Sequence, residues 1–578
     1  MSATSETAVA RMTYTLVGAV IGLCAYLLIE IVPDALGAGR LSFWIVSLGL
    51  GFFAVLLGLM GPVRLPAAAG AALALALPAS LLFLWASFRA ETPGDVVEGG
   101  YALLAYCYLL SIPVPFIVAR LQHHGGWRHY GLLFDAAWEL VVRIASAVLF
   151  ALVVWAVLLL SDQLLQLVGL GVIGDLIALE PAPFVITGAA LGLSLAIVFE
   201  LRDYVSPFLV IQLLRVFLPP LLLVVAIFIA ALPLRGLGSL FGQLSAAAIL
   251  MGVTLAGVTL ITTAVHRDDP QSVHGPLMTG AARMLGLLLV VPALLALWAV
   301  WLRVDQYGLT PHRVAALVAA GILSIYAIGY AGAVLRQDAW RAALRRINRL
   351  MALVTIGVAA AWLTPLLNAE RLATASQLAR AEAGAAPEDL PLWELAHEWG
   401  RAGAEGLAAL EETTEPGSPL AERIAAARTS ESDWDYRRPA RSDESIAGLV
   451  PLRPAGAELP DGALDGLPDY ERDFIRRACA QRLAGGNPGC VMVVGAFEQE
   501  AAEAQVIGFF MVSPAQAVIQ SYALVDGALE SRSGLRDLSR RSAATARAQT
   551  LTDIFEGRFE IAPARRQVLE VDDMRLMP

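Results

Sequence analysis

Between Met12 and Leu367 the chain alternates long apolar stretches with short polar connections, and beyond Asn368 that alternation stops. A helix that crosses a bilayer needs about 20 mostly apolar residues. Eleven stretches fit: 12–31, 41–60, 66–87, 100–119, 140–160, 182–199, 209–232, 244–265, 284–302, 313–335 and 350–367. Past the break, 368–410 predicts a helical connector, because Leu392, Leu395, Trp399, Ala402 and Leu407 recur at roughly helical spacing. Residues 411–449 are rich in Glu, Ser, Arg and Pro and poor in large apolar side chains, which predicts a linker. From 450 to 578 the pattern predicts a compact domain. It has a helix over 467–483, strands over 491–495, 505–513 and 517–524, a helix over 535–550, and strands near 559–561 and 567–571. Short loops between successive strands favour antiparallel pairing. The expected fold class is therefore an α-helical polytopic membrane protein of about 11 spans with a C-terminal soluble α+β domain.

Composition sharpens this division. A mean hydropathy of +0.65 lies far above that of soluble chains. The first apolar run is too long for a signal peptide and has only Arg11 ahead of it, so it reads as a retained anchor. All 41 basic residues are arginine, which excludes lysine Schiff-base chemistry and fits a GC-rich bacterial genome. The net charge of −10 is concentrated past the break, where 34 Asp and Glu face 22 arginines. An acidic soluble part argues against a nucleic-acid partner.

Arginine marks cytoplasmic loops. One set of alternate loops carries Arg64, Arg120 and Arg128, Arg202, Arg267, and then Arg336, Arg341, Arg345, Arg346 and Arg349. The other set carries Glu91, Asp95 and Glu98, and Asp162, Asp175 and Glu180; Arg235, Arg303 and Arg313 run against the trend. This alternation predicts a multi-pass protein of a bacterial inner membrane, with a cytoplasmic N-terminus and a periplasmic C-terminal domain. Cys479 and Cys490 are the two cysteines of the soluble part, one on the expected helix and one opening the next strand. They are either a disulfide, which would suit an oxidising compartment, or two buried thiols. Cys24 and Cys107 lie in spans and read as packing residues.

The residues exclude more chemistry than they indicate. No histidine follows His397, so the terminal domain holds neither a Ser-His-Asp triad nor a histidine-ligated zinc. No phosphate-cradling glycine loop is present. No catalytic residue, cofactor or metal is expected. His123, His124 and His129, beside Trp127 and Arg128, read as an interfacial basic cluster rather than a metal site. Asp135, Glu139 and Arg143 share one helical face at i, i+4 and i+8. Together with Arg215 they form a candidate polar cluster, for a ligand or for a juxtamembrane ion pair; Glu200, Arg202 and Asp203 bracket the next connection in the same way. No acid sits at the centre of a span, which counts against an ion-coupled carrier.

The segment Arg303-Val304-Asp305-Gln306-Tyr307-Gly308-Leu309-Thr310-Pro311-His312-Arg313 ends on a legible start for a span. Thr310 is an N-cap, Pro311 a first helical residue and Gly308 a turn with positive φ. Those rules leave Arg303, Asp305 and Tyr307 as a candidate junction cluster. This segment resembles the R-x-x-Q-Y-G-L-T-P-x-R loop of a bacterial membrane family catalogued only as domain of unknown function 4153. Leu367-Asn368 with Ser376-Gln377-Leu378, and Trp399-Gly400-Arg401-Ala402-Gly403 with Leu407, resemble the same family in the same order. The resemblance covers roughly 280–410. It implies a polytopic inner-membrane protein and supplies no catalytic residues.

Two functions are compatible with these readings. One is transport, or lipid or small-molecule handling, with membrane lipids as partners. The other is an envelope signalling or scaffold protein whose periplasmic domain binds a protein partner. Because the family-like segments straddle the break, the 303–313 loop is expected to face the 368–410 connector.

Overall fold

The computed structural model describes residues 3–576 except 124, 201–206, 236–244, 337–338, 431, 438–445, 447, 461, 484, 496, 498–504, 514–515, 526, 533–535, 538–541, 544, 561–568 and 572–573. The chain divides into two compact units, Met1–Arg437 and Arg438–Pro578.

The first unit is a helical bundle. Its helices are α1 (Ala3–Tyr26, continued to Leu36), α2 (Arg40–Leu59), α3 (Leu65–Ser87), α4 (Tyr101–Ser111) with α5 (Pro113–Gln122), α6 (Tyr130–Gln166) and α7 (Ala182–Glu200). There follow α8 (Pro207–Val216) with α9 (Leu218–Arg235), α10 (Ser245–Val265), α11 (Pro276–Leu288) with α12 (Val290–Tyr307), α13 (Pro311–Val334) and α14 (Trp340–Trp362). Among the described residues nine segments are long and apolar enough to cross a membrane, which suggests a multi-pass membrane protein. The count corrects the expected eleven at two places. The apolar part of α7, Ala182–Val198, is shorter than a full span. The stretch expected at 350–367 belongs to α14, which begins ten residues earlier and then turns by 91° into Pro365–Glu382. Arg341, Arg345, Arg346 and Arg349 lie inside α14, so an apolar window misses its first turns. The turn follows from Pro365, which requires an extended residue before it; Thr364 is extended, and its hydroxyl accepts from Leu366 N.

Alanine and glycine set the packing. Ala68, Ala72, Ala76 and Ala79 form a buried stripe on α3, continued by Phe83, at the centre of one apolar cluster. A second cluster is built from α9 to α13, around Ile261, Leu285, Leu289 and Tyr330. Helices α1 and α7 are in backbone contact. There Gly18 and Gly22 meet Gly188 and Gly192, and a Cβ on Gly188 would stand 2.2 Å from Gly18 O. Small residues four apart allow such backbone contact between apolar helices.

The polar connections gather at two ends. At one end Arg267 pairs with Asp135 at 2.7 Å, Arg345 donates to Val265 O and His266 O, Arg341 to Val273 O, and Arg349 to Arg128 O. At the other end Arg40 donates to Ala90 O, and Tyr101 Oη lies 2.7 Å from His312 Nδ1.

The bundle unit continues as α15 (Ala369–Glu382), α16 (Leu392–His397) and α17 (Gly400–Thr413), as expected for the connector. The linker reading of 411–449 is corrected over its first half. Helices α18 (Pro419–Thr429) and α19 (Asp433–Arg437) pack Ile424, Ala427 and Tyr436 against Leu392, Leu395, Trp399 and Leu407. Residues 438–445 lie outside the described residues.

The second unit is α+β. Its sheet runs β1 (Leu452–Arg453), β2 (Cys490–Gly495), β3 (Gln505–Ser513), β4 (Gln516–Val525) and β5 (Ala528–Arg532), and β6 (Thr545–Arg547) pairs with the start of β4. Strands β2 to β5 are antiparallel, as expected, whereas β1 joins β2 in parallel. Alternate residues serve opposite faces. Cys490, Met492, Val506 and Phe510 pack under α20 (Asp469–Ala480), and Val491, Val493 and Met511 under α21 (Ala548–Phe555). The helix expected over 535–550 is corrected: Thr545–Arg547 pairs with β4 and only Ala548 onward is helical. Strand pairing outweighs the helix propensity of that Ala- and Arg-rich run. Phe559 is not in a strand, and Ile561 lies outside the described residues; of the strand expected over 567–571, 567 and 568 lie outside them and Leu569–Val571 is a strand, paired antiparallel with Met574–Leu576.

Cys479 and Cys490 are joined by a disulfide between α20 and β2. Closing this loop of 11 residues stabilises the unit by about 3 kcal/mol on the chain-entropy account. Thiol titration of the denatured, unreduced full chain is expected to find Cys24 and Cys107 only. Cys490→Ala is expected to make the second unit markedly more protease-sensitive; four titratable thiols would contradict the bridge.

Candidate functional site

The expected junction is built. Helix α12 extends through Tyr307, so the turn itself is only Gly308-Leu309-Thr310. Gly308 has φ 71°, and a Cβ there would come within 2.7 Å of Gln377 Nε2, so two independent constraints demand glycine. Gln377, on α15, is 2% exposed. Its amide donates to Tyr307 O at 3.0 Å and Leu309 O at 2.8 Å, and its oxygen accepts from Arg380. Ser376 Oγ accepts from Leu309 N. Thr310 caps α13 by accepting from Arg313 N, and the Arg313 guanidinium donates to Tyr307 O and Gly308 O. Arg303 and Arg313 both lie over the Tyr307 ring, while Asp305 is exposed.

Arg89, between α3 and α4, ties the connector to the bundle. Its Nη2 donates to Trp362 O at 2.7 Å and Thr364 O at 2.6 Å, closing the C-terminus of α14, and its Nη1 lies 3.7 Å from Glu370. Burial lowers the guanidinium pKa, and Glu370 works the other way. Arg89 O in turn accepts from Arg401 N. Gly400 has φ 53°, and a Cβ there would stand 2.6 Å from Arg89 O. A cavity of about 310 Å³ opens beside these groups, with Glu91, Asp95, Glu370, His397 and Glu398 on its wall. Burial raises the Glu398 carboxyl above its usual range, Glu394 adds to the shift and His312 opposes it. All three family-like segments meet at this junction.

The candidate polar cluster is assembled only in part, since Glu139 and Arg143 interact electrostatically while Asp135 and Arg215 are engaged elsewhere. Asp135 pairs with Arg267. Arg143 is 8% exposed and donates to Gly58 O at 2.6 Å and Met60 O at 2.8 Å, closing the end of α2. Arg215 is 7% exposed and donates to Thr263 O and Gln271 O near the end of α10. Glu139 sits on the exposed flank of α6, near enough to Arg143 to interact with it electrostatically. These buried arginines use a planar donor fork to satisfy carbonyls at helix C-termini, which a helix leaves unpaired, and, for Arg215, one in the connection after α10 as well. The Glu200 side chain, Arg202, Asp203 and His124 lie outside the described residues. Among the described residues no group of three His, Cys, Asp or Glu side chains is placed to hold a metal.

Sequence reasoning missed a groove of about 420 Å³ between α5, α6, α10, α13 and α14. Its wall is mostly apolar, with Phe116, Leu255, Val258 and Leu323. Tyr130, Asn348 and Arg349 line it at the arginine-bearing end. Behind it runs a polar network. Tyr330 donates to Asn348, whose amide donates to Tyr130 Oη at 3.0 Å and Thr262 Oγ1 at 3.3 Å. The available signal was Tyr326 and Tyr330, one turn apart in an apolar span, with Asn348 on the next helix. No protein-family model, no curated protein and no solved structure matches this chain.

Proposed function

We propose that the bundle handles a lipid or similar amphiphile from within the membrane, taking its apolar chain into the five-helix groove. The groove carries this reading, because it is apolar along its length and polar at one end. From Thr262 to Leu255 along α10 it descends about 10 Å, two helical turns. A path for a polar solute has less support: Arg143 and Arg215, the buried charges expected to line one, are committed to backbone carbonyls. In this reading the protein is a bacterial inner-membrane protein, and its arginine-bearing end faces the cytoplasm. The second unit stands in the periplasm, where a disulfide persists.

Thr259 lines the groove, is half-buried, and its hydroxyl bonds its own helix through Leu255 O. Thr259→Trp is expected to fill the groove and to cut capture of a photoactivatable acyl lipid about tenfold, a loss of 1.4 kcal/mol. Elution of the purified protein should be unchanged. Equal capture by Thr259→Trp and the parent would remove the basis for this reading.

A further inference from the structure

An acyl chain gains almost nothing by leaving a bilayer for an apolar groove, since both are hydrocarbon surroundings. Selective occupancy then has to come from the other end of the molecule. At the arginine-bearing end the groove passes Phe116, which also lines an adjoining cavity with Arg120, Leu121 and Trp127. The two cavities have that ring in common, which stands between them on α5. Arg349 lies on the wall of the first and Arg120 on the wall of the second. No Asp or Glu lines either one. Trp127 is 39% exposed, with the Arg128 guanidinium 4.9 Å from its ring centre, as suits a residue at headgroup level.

Resting on the amphiphile reading, we infer that the groove selects a lipid with an anionic phosphate headgroup, held between Arg349 and Arg120 while its chain lies against Phe116 and Leu255. Arg349 is anchored for this task. One of its nitrogens donates to Arg128 O, which fixes the guanidinium at the mouth of the groove. Asn348, beside it, donates to Tyr130 Oη on α6. A zwitterionic phosphocholine head carries its own cation and gains little from two arginines. A phosphatidylglycerol head keeps its charge uncompensated. Each basic side chain near a membrane surface contributes about fivefold to binding of anionic lipid, so the pair should prefer it by roughly tenfold or more.

The test uses the full chain in nanodiscs of either phosphatidylglycerol or phosphatidylcholine. A photoactivatable analogue of each lipid is added and crosslinks are mapped by mass spectrometry. The expected result is at least about tenfold more crosslinking of the phosphatidylglycerol probe to the groove. Arg349→Gln should remove most of that preference, Arg120→Gln part of it, and Arg349→Lys should retain a share. Soluble glycerol phosphate should not compete, because the chain is part of what is bound. If both probes crosslink equally but Thr259→Trp blocks both, the headgroup inference is wrong and the amphiphile reading stands. If Thr259→Trp blocks neither, both fail. Should Arg349→Gln not elute as the parent does, Arg120→Gln decides: an unchanged preference overturns the inference.

Discussion

Gly188→Leu is expected to leave almost no monodisperse protein after detergent extraction. A Cβ at this position would lie 2.2 Å from Gly18 O and 2.9 Å from Gly22 Cα. Both neighbours are helix backbone, which no change of rotamer can move. The whole of α1 would have to retreat from α7, taking with it the bond from Tyr26 Oη to Glu180. Ordinary overpacking costs about 1–3 kcal/mol because side chains can yield; here nothing yields, so the loss should exceed that range. Gly70→Ala is the control. Gly70 is also helical, but nothing lies within 4 Å of the added methyl. It should elute and melt as the parent does. Normal elution and melting of Gly188→Leu would show that the two helices are not in backbone contact.

The second large effect is expected at Arg89. Arg89→Met keeps much of the side-chain volume and removes every donor. It strands Trp362 O and Thr364 O and leaves Glu370 without its cation. Breaking a buried charged contact from one side typically costs about 3–5 kcal/mol. The damage should be local, so tryptic cleavage at Arg371 and Arg380 on α15 should rise steeply while the bundle stays assembled. Arg89→Lys should fall between, since one ammonium lacks the fork that reaches two carbonyls and a carboxylate. Cleavage of Arg89→Met at the parental rate would mean that other contacts hold the connector.

The sequence was most informative where chemistry is local. Gly308, Thr310 and Pro311 announced the α12–α13 corner because a positive φ, an N-cap and a first-turn proline act within a few residues. The change of pattern at Asn368 located the connector, and the segments straddling it meet in the fold through Gln377, Leu309 and Arg89. It was least informative where the partner lies across the bundle. Periodicity placed Asp135, Glu139 and Arg143 on one face of α6 but said nothing of what that face meets. Arg143 meets carbonyls, which every residue carries and no pattern reveals. The groove escaped for the same reason, since five helices each contribute ordinary membrane residues to it. Helices α18 and α19 escaped because Ile424, Ala427 and Tyr436 are too few to make a visible stripe.

The pairing of α1 with α7 also bears on how the chain is made. Synthesis runs from the N-terminus, so α1 is complete well before its glycine partner at 188–192 has been translated. Helices α2 to α6 are all produced in the interval. Throughout that time the face bearing Gly18 and Gly22 has no partner of its own chain. A second nascent copy presents the same face, and glycine faces of this kind associate readily. Ribosome spacing and the speed of elongation through residues 37–181 are therefore expected to influence yield. Slow codons within that stretch would prolong exposure of the face, and synonymous changes there should alter the fraction of monomeric product without changing a single residue.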